Sequence, residues 1–301
     1  MIDHHSHLWP HGTRASGPTM ADLERFCAAA ASRGISRVVL TEHLFRFSEA
    51  QSALGAFWED STPLPRELYS GDAGLDKALA DDMASYWLSH QGASLDRYVE
   101  VGLQAKAAGL PLLLGLEVDH YSGLVDKVAA LVSSYPIDLV VASVHWLGLW
   151  RFDDLDSELS MSVWDRVDVE GVWEAYTNAF CEMARSGIAD VAAHPDLVKV
   201  TGRVPPDPSP YWERMVAAAA EGGLALEASS AGWRKPIGEQ YPALGMIRLG
   251  LQSGLCFATA SDGHGDAAVG EGMGRLKRFL QAAGVERSAL FAIDAGDKDG
   301  K

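Results

Sequence analysis

The 301-residue chain carries ten histidines, and where they fall is more informative than how many there are. His5 and His7 close a short apolar run at the start of the chain. His43 follows Leu40, His145 follows Val144, His194 follows Ala193 and His264 follows Ala260. His11 sits in the segment just after the first run. Two acids keep the same company: Glu117 ends the run that begins at Leu112, and Asp262 stands two residues before His264. Neutral imidazole and carboxylate are the usual protein ligands of zinc, iron and manganese. Residues i and i+2 of a strand point the same way, so His5 and His7 can reach one ion. Asp262 and His264 stand in the same relation if the chain is extended there. A single His-x-His is commonly incidental, a lone strand-end histidine is commonly a hydrogen-bonded rim residue, and a lone glutamate is commonly an ion-pair partner. Seven histidines and two acids at the same end of successive runs point instead to a metal site. His4 is expected to face away from His5, His90 falls in a long irregular region, and His120 is positioned to line the pocket.

Other catalytic chemistries find little support. No Gly-x-Ser-x-Gly elbow is present, and no cysteine follows an apolar run beside a histidine. Gly270, Gly272 and Gly274 lack the preceding strand that a phosphate-cradling loop needs.

Placing these residues together requires strands whose C-terminal ends converge. The predicted strands are Ile2 to His5, Ile35 to Leu40, Leu112 to Glu117, Leu139 to Val144, Ile188 to Ala193, Leu224 to Ala228 and Leu255 to Ala260. They are mostly continuously apolar, as parallel strands buried on both faces are. Helical stretches alternate with them. Thr19 is a candidate N-cap for a helix whose apolar stripe runs through Met20, Leu23, Phe26, Cys27 and Ala30 and which Gly34 ends. Further helices are predicted around 95–108, 124–134, 169–186, 211–221 and 274–283. This alternation predicts one α/β domain built as a barrel, in which catalytic groups gather at the C-terminal ends of the strands. The domain is read as 1–295, with insertions at about 45–94 and 147–168 that either cover the pocket or pad the barrel rim, and with a disordered tail at 296–301.

Composition agrees with a globular enzyme: 48% of residues are hydrophobic and 22% charged. The formal charge of −16 disfavours nucleic-acid partners, which need a basic surface, but leaves room for a small anionic substrate held by local cations. No apolar run is long enough to span a membrane. Cys27, Cys181 and Cys256 are odd in number and widely spaced in apolar surroundings, which fits a reducing cytoplasm better than a disulfide framework. No feature of the sequence sets an oligomeric state.

With those residues in view, the chain resembles the polymerase-and-histidinol-phosphatase (PHP) superfamily, and within it the histidinol-phosphate phosphatase branch. The resemblance is carried by Asp3-His4-His5-Ser6-His7, His11-Gly12, Thr41-Glu42-His43 and Gly115-Leu116-Glu117-Val118-Asp119. It continues through Ser143-Val144-His145-Trp146, Ala193-His194-Pro195-Asp196 and Ser261-Asp262-Gly263-His264. The stretch Ala231-Gly232-Trp233-Arg234-Lys235-Pro236, with Gly238-Glu239 and Tyr241-Pro242, is nearer the phosphatase branch. The resemblance implies a distorted (β/α)7 TIM-like barrel holding three divalent transition-metal ions (zinc, iron or manganese). It assigns His5, His7, Glu117 and Asp262 to one ion, Glu117, His145 and His194 to a second, and His11, His43 and His264 to a third. The chain departs from the branch in its short His7-to-His11 spacing, in Ala228-Ser229-Ser230, and in Leu44-Phe45-Arg46-Phe47.

The activity expected on this basis is hydrolysis of a small phosphorylated metabolite, with histidinol phosphate the leading substrate, by a metal-bound hydroxide that attacks phosphorus. Glu117, Asp262 and His194 are the residues expected to carry catalysis. Arg234, then Lys235, are candidate phosphate clamps, because a guanidinium fork matches phosphate bidentately. Glu42, Asp119 and Asp153 are candidates to bind a substrate ammonium. The same barrel could instead serve a different metal-dependent enzyme of specialised metabolism, iron-dependent ones included, or a non-catalytic module. The intact ligand set argues against the last.

Overall fold

A computed structural model describes residues 1–10, 12–66, 68–69 and 71–293. Its strands are β1 (Ile2–His7), β2 (Arg37–His43), β3 (Leu112–Asp119), β4 (Leu139–Ser143), β5 (Val191–Ala192), β6 (Ala225–Ser229), β7 (Phe257–Ala260) and β8 (Gly263–His264). All pair in parallel in the order β7-β6-β5-β4-β3-β2-β1-β8. The two ends of that order, β7 and β8, are separated in the chain by Ser261 and Asp262 alone, so the sheet curls round until its ends meet. The result is the TIM-like barrel expected, with one strand more than the seven predicted. Two residues are too few to leave a periodic signature, which is why β8 escapes detection in the sequence.

The helices are α1 (Met20–Ser32), α2 (Ser48–Leu54), α3 (Ala73–His90), α4 (Leu95–Ala107), α5 (Val125–Ser133), α6 (Glu158–Trp164), α7 (Val169–Arg185), α8 (Ser209–Gly222), α9 (Leu244–Gln252) and α10 (Met273–Ala282). Thr19 caps α1 in a reciprocal capping box with Asp22. Strand residues of one parity, such as Leu112, Leu114 and Leu116, pack against this helical layer. Those of the other parity fill the barrel: Val39, Leu113, Leu139, Val141, Val191, Ala193, Ala225 and Ala258 form a separate apolar cluster, with Phe291 and Ile293 packed on it.

β1 is polar for a buried strand, and its geometry is irregular. Asp3 pairs with Val38 and Ser6 with Leu40, so two residues, His4 and His5, oppose Val39 in a bulge. Simple alternation would put His4 and His5 on opposite faces. The bulge instead leaves His4 edge-on to Phe291 at the interior floor, and it starts the alternation afresh at His5. Asp3 is fully buried and accepts from the Ser261 amide (2.8 Å), the Ser261 hydroxyl (2.5 Å) and the Gly270 amide (3.1 Å). It pegs β1 to the chain just after β7.

The two insertions meet over the barrel mouth. The Leu149 amide donates to the Pro63 carbonyl (2.8 Å), and Arg151 forks onto Asp82 of α3 (2.9 and 3.0 Å) while lying over the Tyr86 ring (4.2 Å). Gly148 has φ +65, and a Cβ there would collide with the carbonyls of Thr62 and Pro63. No helix among the described residues is long and apolar enough to cross a membrane. His11 and the predicted tail at 296–301 lie outside the described residues.

Candidate metal centre

The apolar barrel interior ends abruptly at its C-terminal mouth in a layer of imidazoles and carboxylates. Glu117, 1% exposed, stands at the centre of it. Its Oε2 lies 3.3 Å from His5 Nε2, 3.5 Å from His7 Nε2 and 2.7 Å from His43 Nδ1. Its Oε1 lies 3.5 Å from His145 Nε2 and 3.4 Å from His194 Nε2. Asp262 Oδ1 approaches His7 (3.5 Å), His264 (3.7 Å) and His5 (3.9 Å). Donors close enough to share an ion group as His5-His7-Asp262, His5-Glu117-His194, His43-Glu117-His145 and His7-His43-His264. Eight of the nine expected ligands are therefore brought together.

The chemistry of this set fits divalent cations. The Nε2 atoms of His5 and His7 are 3.0 Å apart, those of His145 and His194 3.3 Å, and those of His43 and His264 3.4 Å. Four donors held tetrahedrally at about 2.0–2.1 Å from one ion stand roughly 3.3–3.4 Å from each other, so these separations suit a shared ion. Neither Glu117 oxygen has a well-formed hydrogen bond, although both are buried. Uncompensated buried carboxylate is costly and calls for cationic neighbours. Burial works against ionisation of Glu117, but His43, His5 and His145 together outweigh it and hold the carboxyl well below the usual range. Burial likewise opposes protonation of His145, yet Glu117 and Asp119 outweigh it and push the imidazole pKa up to about 10.

Two candidate ligands sit in a backbone region that side chains rarely adopt. His194 has φ 22 and Asp262 has φ 49, the positive values found at non-glycine positions among the described residues. Such strain persists where surroundings over-determine it, most often at functional sites. It also corrects one expectation: the chain is not extended through Asp262, so Asp262 and His264 turn to different donor groups.

Behind the ligands stand carboxylates that aim them. Asp119 accepts from His145 Nδ1 (2.6 Å) and from the Ser143 hydroxyl (3.3 Å). Glu227, on β6 and 1% exposed, is 2.7 Å from His5 Nδ1 and accepts from the His194 amide (3.3 Å). Carboxylate partners of this kind fix the tautomer and orientation of ligating histidines. Sequence reasoning missed Glu227, although one acid inside the apolar run Leu224-Ala225-Leu226-Glu227-Ala228 is a usable signal, since a buried carboxylate needs partners. Glu42, fully buried, accepts from the amides of Leu8 and Trp9 and lies 3.8 Å from both His7 Nδ1 and Arg46 Nε. Glu42 and Asp119 thus face the protein, not open space.

A cavity of about 860 Å³ opens above His43 and His145, lined also by Tyr86, His90, Trp146, Arg151, Asp153, Arg234 and Lys235. Arg234 is tethered by one amino group to the carbonyls of Ser261 (2.8 Å) and Asp262 (3.2 Å), beside the donor cluster. Lys235 is exposed. His120 lines a different cavity of about 930 Å³, between α7 and the first insertion, with Glu182 3.4 Å away.

Comparison with known proteins gives a consistent answer. The family model described as PHP domain matches residues 3–231. A Deinococcus radiodurans protein named "Probable histidinol-phosphatase" is 36% identical over 167 residues, which cover 56% of this chain and 63% of that relative. The match thus spans less than two thirds of the relative's length. A Listeria monocytogenes structure provisionally named a histidinol phosphatase superposes with a TM-score of 0.64 at 20% identity, covering 91% of this chain and 99% of that one. A Lactococcus lactis histidinol phosphate phosphatase, solved with zinc, L-histidinol and phosphate, gives a TM-score of 0.58 at 17% identity over 95% and 94% of the two chains. At these identities the two structures speak for the fold.

Proposed function

Because the chain belongs to the PHP domain family, we propose that it is a metal-dependent phosphomonoesterase acting on a small phosphorylated metabolite, with histidinol phosphate the first substrate to test. The observation that carries this reading is the division of Glu117 between two sets of imidazoles at the floor of an open cavity. His5, His7, Glu117 and Asp262 would hold one ion, and Glu117, His145 and His194 a second. His43 and His264 would hold a third together with His11. Divalent ions bound there supply Lewis acidity, lowering the pKa of water to about 7 and drawing charge from phosphoryl oxygens.

The remaining work belongs to the chain itself. Arg234, pinned beside Asp262, keeps guanidinium hydrogens free for a phosphate oxygen, and Lys235 adds positive charge at the rim. Asp119 and Glu227 hold His145 and His5 in one orientation, so the donors need not reorganise when substrate arrives. Hydrolysis consumes one water and breaks the P–O bond of the ester, releasing the alcohol and inorganic phosphate. The names of the relatives support histidinol phosphate as the ester.

The test is phosphate release from a panel of small phosphomonoesters, by protein prepared without chelator and assayed for zinc, iron and manganese. Turnover of histidinol phosphate, abolished by chelation and restored by a divalent metal, is expected. Metal-loaded protein that releases phosphate from none of the panel overturns the proposal.

A further inference from the structure

A fully buried lysine is rare, because its ammonium needs partners inside the protein to replace water. Lys199 is 1% exposed, on the short helical turn Leu197–Lys199 that follows His194. Its three hydrogens meet three acceptors: Asp196 Oδ2 (2.9 Å), Glu239 Oε2 (3.0 Å) and the Gln240 carbonyl (2.9 Å). Asp196 is buried too and accepts from the Ala243 amide (2.8 Å), while the Val200 carbonyl accepts from the Ile237 amide (3.3 Å). Apart from the bond between Lys199 and Asp196, each of these crosses from the segment after β5 to the segment after β6. Both segments carry groups of the site. The first begins with His194, whose backbone is held at φ 22. The second leaves β6 at Ser229, turns through Arg234 and returns to pair Tyr241 with Ser229 (2.7 and 3.1 Å). The Tyr241 ring stands edge-on to His194, 6.1 Å between ring centroids, and Lys199 Nζ lies 5.4 Å from the same ring.

We propose that Lys199 is a positioning residue, which locks the loop bearing Arg234 onto the His194 turn and so fixes the approach of the guanidinium to phosphate. The assignment rests on the phosphomonoesterase reading above. Lys199 does not itself line the cavity, so it acts through the loop it holds. A guanidinium fork profits from its two-point match to phosphate only where its approach is fixed, and a displacement of about 1 Å can cost about a hundredfold. Replacing Lys199 by an apolar side chain releases Glu239 and Gln240 from the turn and leaves Arg234 on a loop with fewer fixed points.

The experiment reads phosphate affinity, with turnover as a control. Inorganic phosphate is titrated calorimetrically into zinc-saturated wild type, Lys199→Met, Arg234→Ala and the double variant. Lys199→Met should bind phosphate about tenfold more weakly. The two losses should not add: once Arg234 is gone, removing Lys199 should change phosphate affinity by about twofold at most. Lys199→Met strands the buried carboxylate of Asp196, so a milder variant accompanies it. Glu239→Gln removes one partly exposed partner and should weaken phosphate binding by about two- to fivefold, with zinc retention in a chelator competition unchanged. Should Lys199→Met fail to fold, the same cycle run with Glu239→Gln and Arg234→Ala decides. Wild-type phosphate affinity in Lys199→Met and Glu239→Gln overturns the assignment, as do losses that add in full to that of Arg234→Ala. Wild-type affinity in Arg234→Ala overturns it too, since Lys199 then has no clamp to position, while the phosphatase reading stands. A zinc-loaded wild type that neither binds phosphate nor cleaves a phosphate ester removes the phosphatase reading itself.

Discussion

Glu117 offers Oε1 to His145 and His194 and Oε2 to His5, His7 and His43, so one carboxylate is shared by two sets of donors. Glu117→Gln replaces a bridging anion with a neutral amide and should lower turnover at least about a hundredfold, with less metal retained after dialysis. Steady-state kinetics together with elemental analysis check both. Glu227→Gln should act more gently, weakening metal affinity by roughly ten- to a hundredfold through a misdirected His5, which a chelator competition would measure. Arg234→Ala should cost about ten- to a hundredfold in kcat/KM, since it removes a charge-assisted contact to phosphate, and Arg234→Lys should restore only part. Because Arg234 also grips the carbonyls on either side of the turn into Asp262, metal content must be counted in the same samples. The candidate ligands were legible in the sequence because strand ends and residue type coincide. Their supporting carboxylates were not: only the folded chain shows that Asp119 and Glu42 turn inward while Asp153 faces the cavity.

Most strands were readable for a plain reason, since a parallel barrel buries both faces and leaves unbroken apolar runs. Four helices were not, among them α2, a two-turn segment inside the first insertion. α9 carries Gly245 and Gly250, which weaken any helical reading of Leu244–Gln252, and Gly250 is packed against Phe257. α6 is two turns long, too short for a periodic stripe to stand out. α3 has a usable spacing in Leu75, Leu79, Met83 and Trp87, but its aromatic and acidic surroundings hid it within the first insertion. The bulge in β1 is invisible to alternation rules, and it is what decides which way His4 and His5 turn. The contact between the insertions can be tested through Gly148. Gly148→Ala places a Cβ in the left-handed region and against two carbonyls, and should destabilise the protein by roughly 1–3 kcal/mol, read from denaturant unfolding. A wild-type midpoint would mean that the loops separate at little cost.

At the scale of the molecule, the candidate metal centre draws its donors from both ends of the chain. His5 and His7 come from the first strand, while Asp262 and His264 come from the segment that follows the last long one. Bound ions therefore fasten the seam where the curled sheet meets itself, which Asp3 and Ser261 otherwise hold. Ligand binding to the folded state alone adds about 2.7 kcal/mol at a hundredfold excess over Kd, so metal-replete protein should unfold at distinctly higher temperature than chelated protein. Scanning calorimetry on the two forms checks this. The same arrangement has a consequence for synthesis. A ribosome adding roughly 5–20 residues per second delivers His5 and His7 well before Asp262, so a nascent chain can offer the first ligands before the cage can be finished. Metal capture would then wait for the closing turn, and an interrupted product ending before Ser261 should emerge unable to retain its ions.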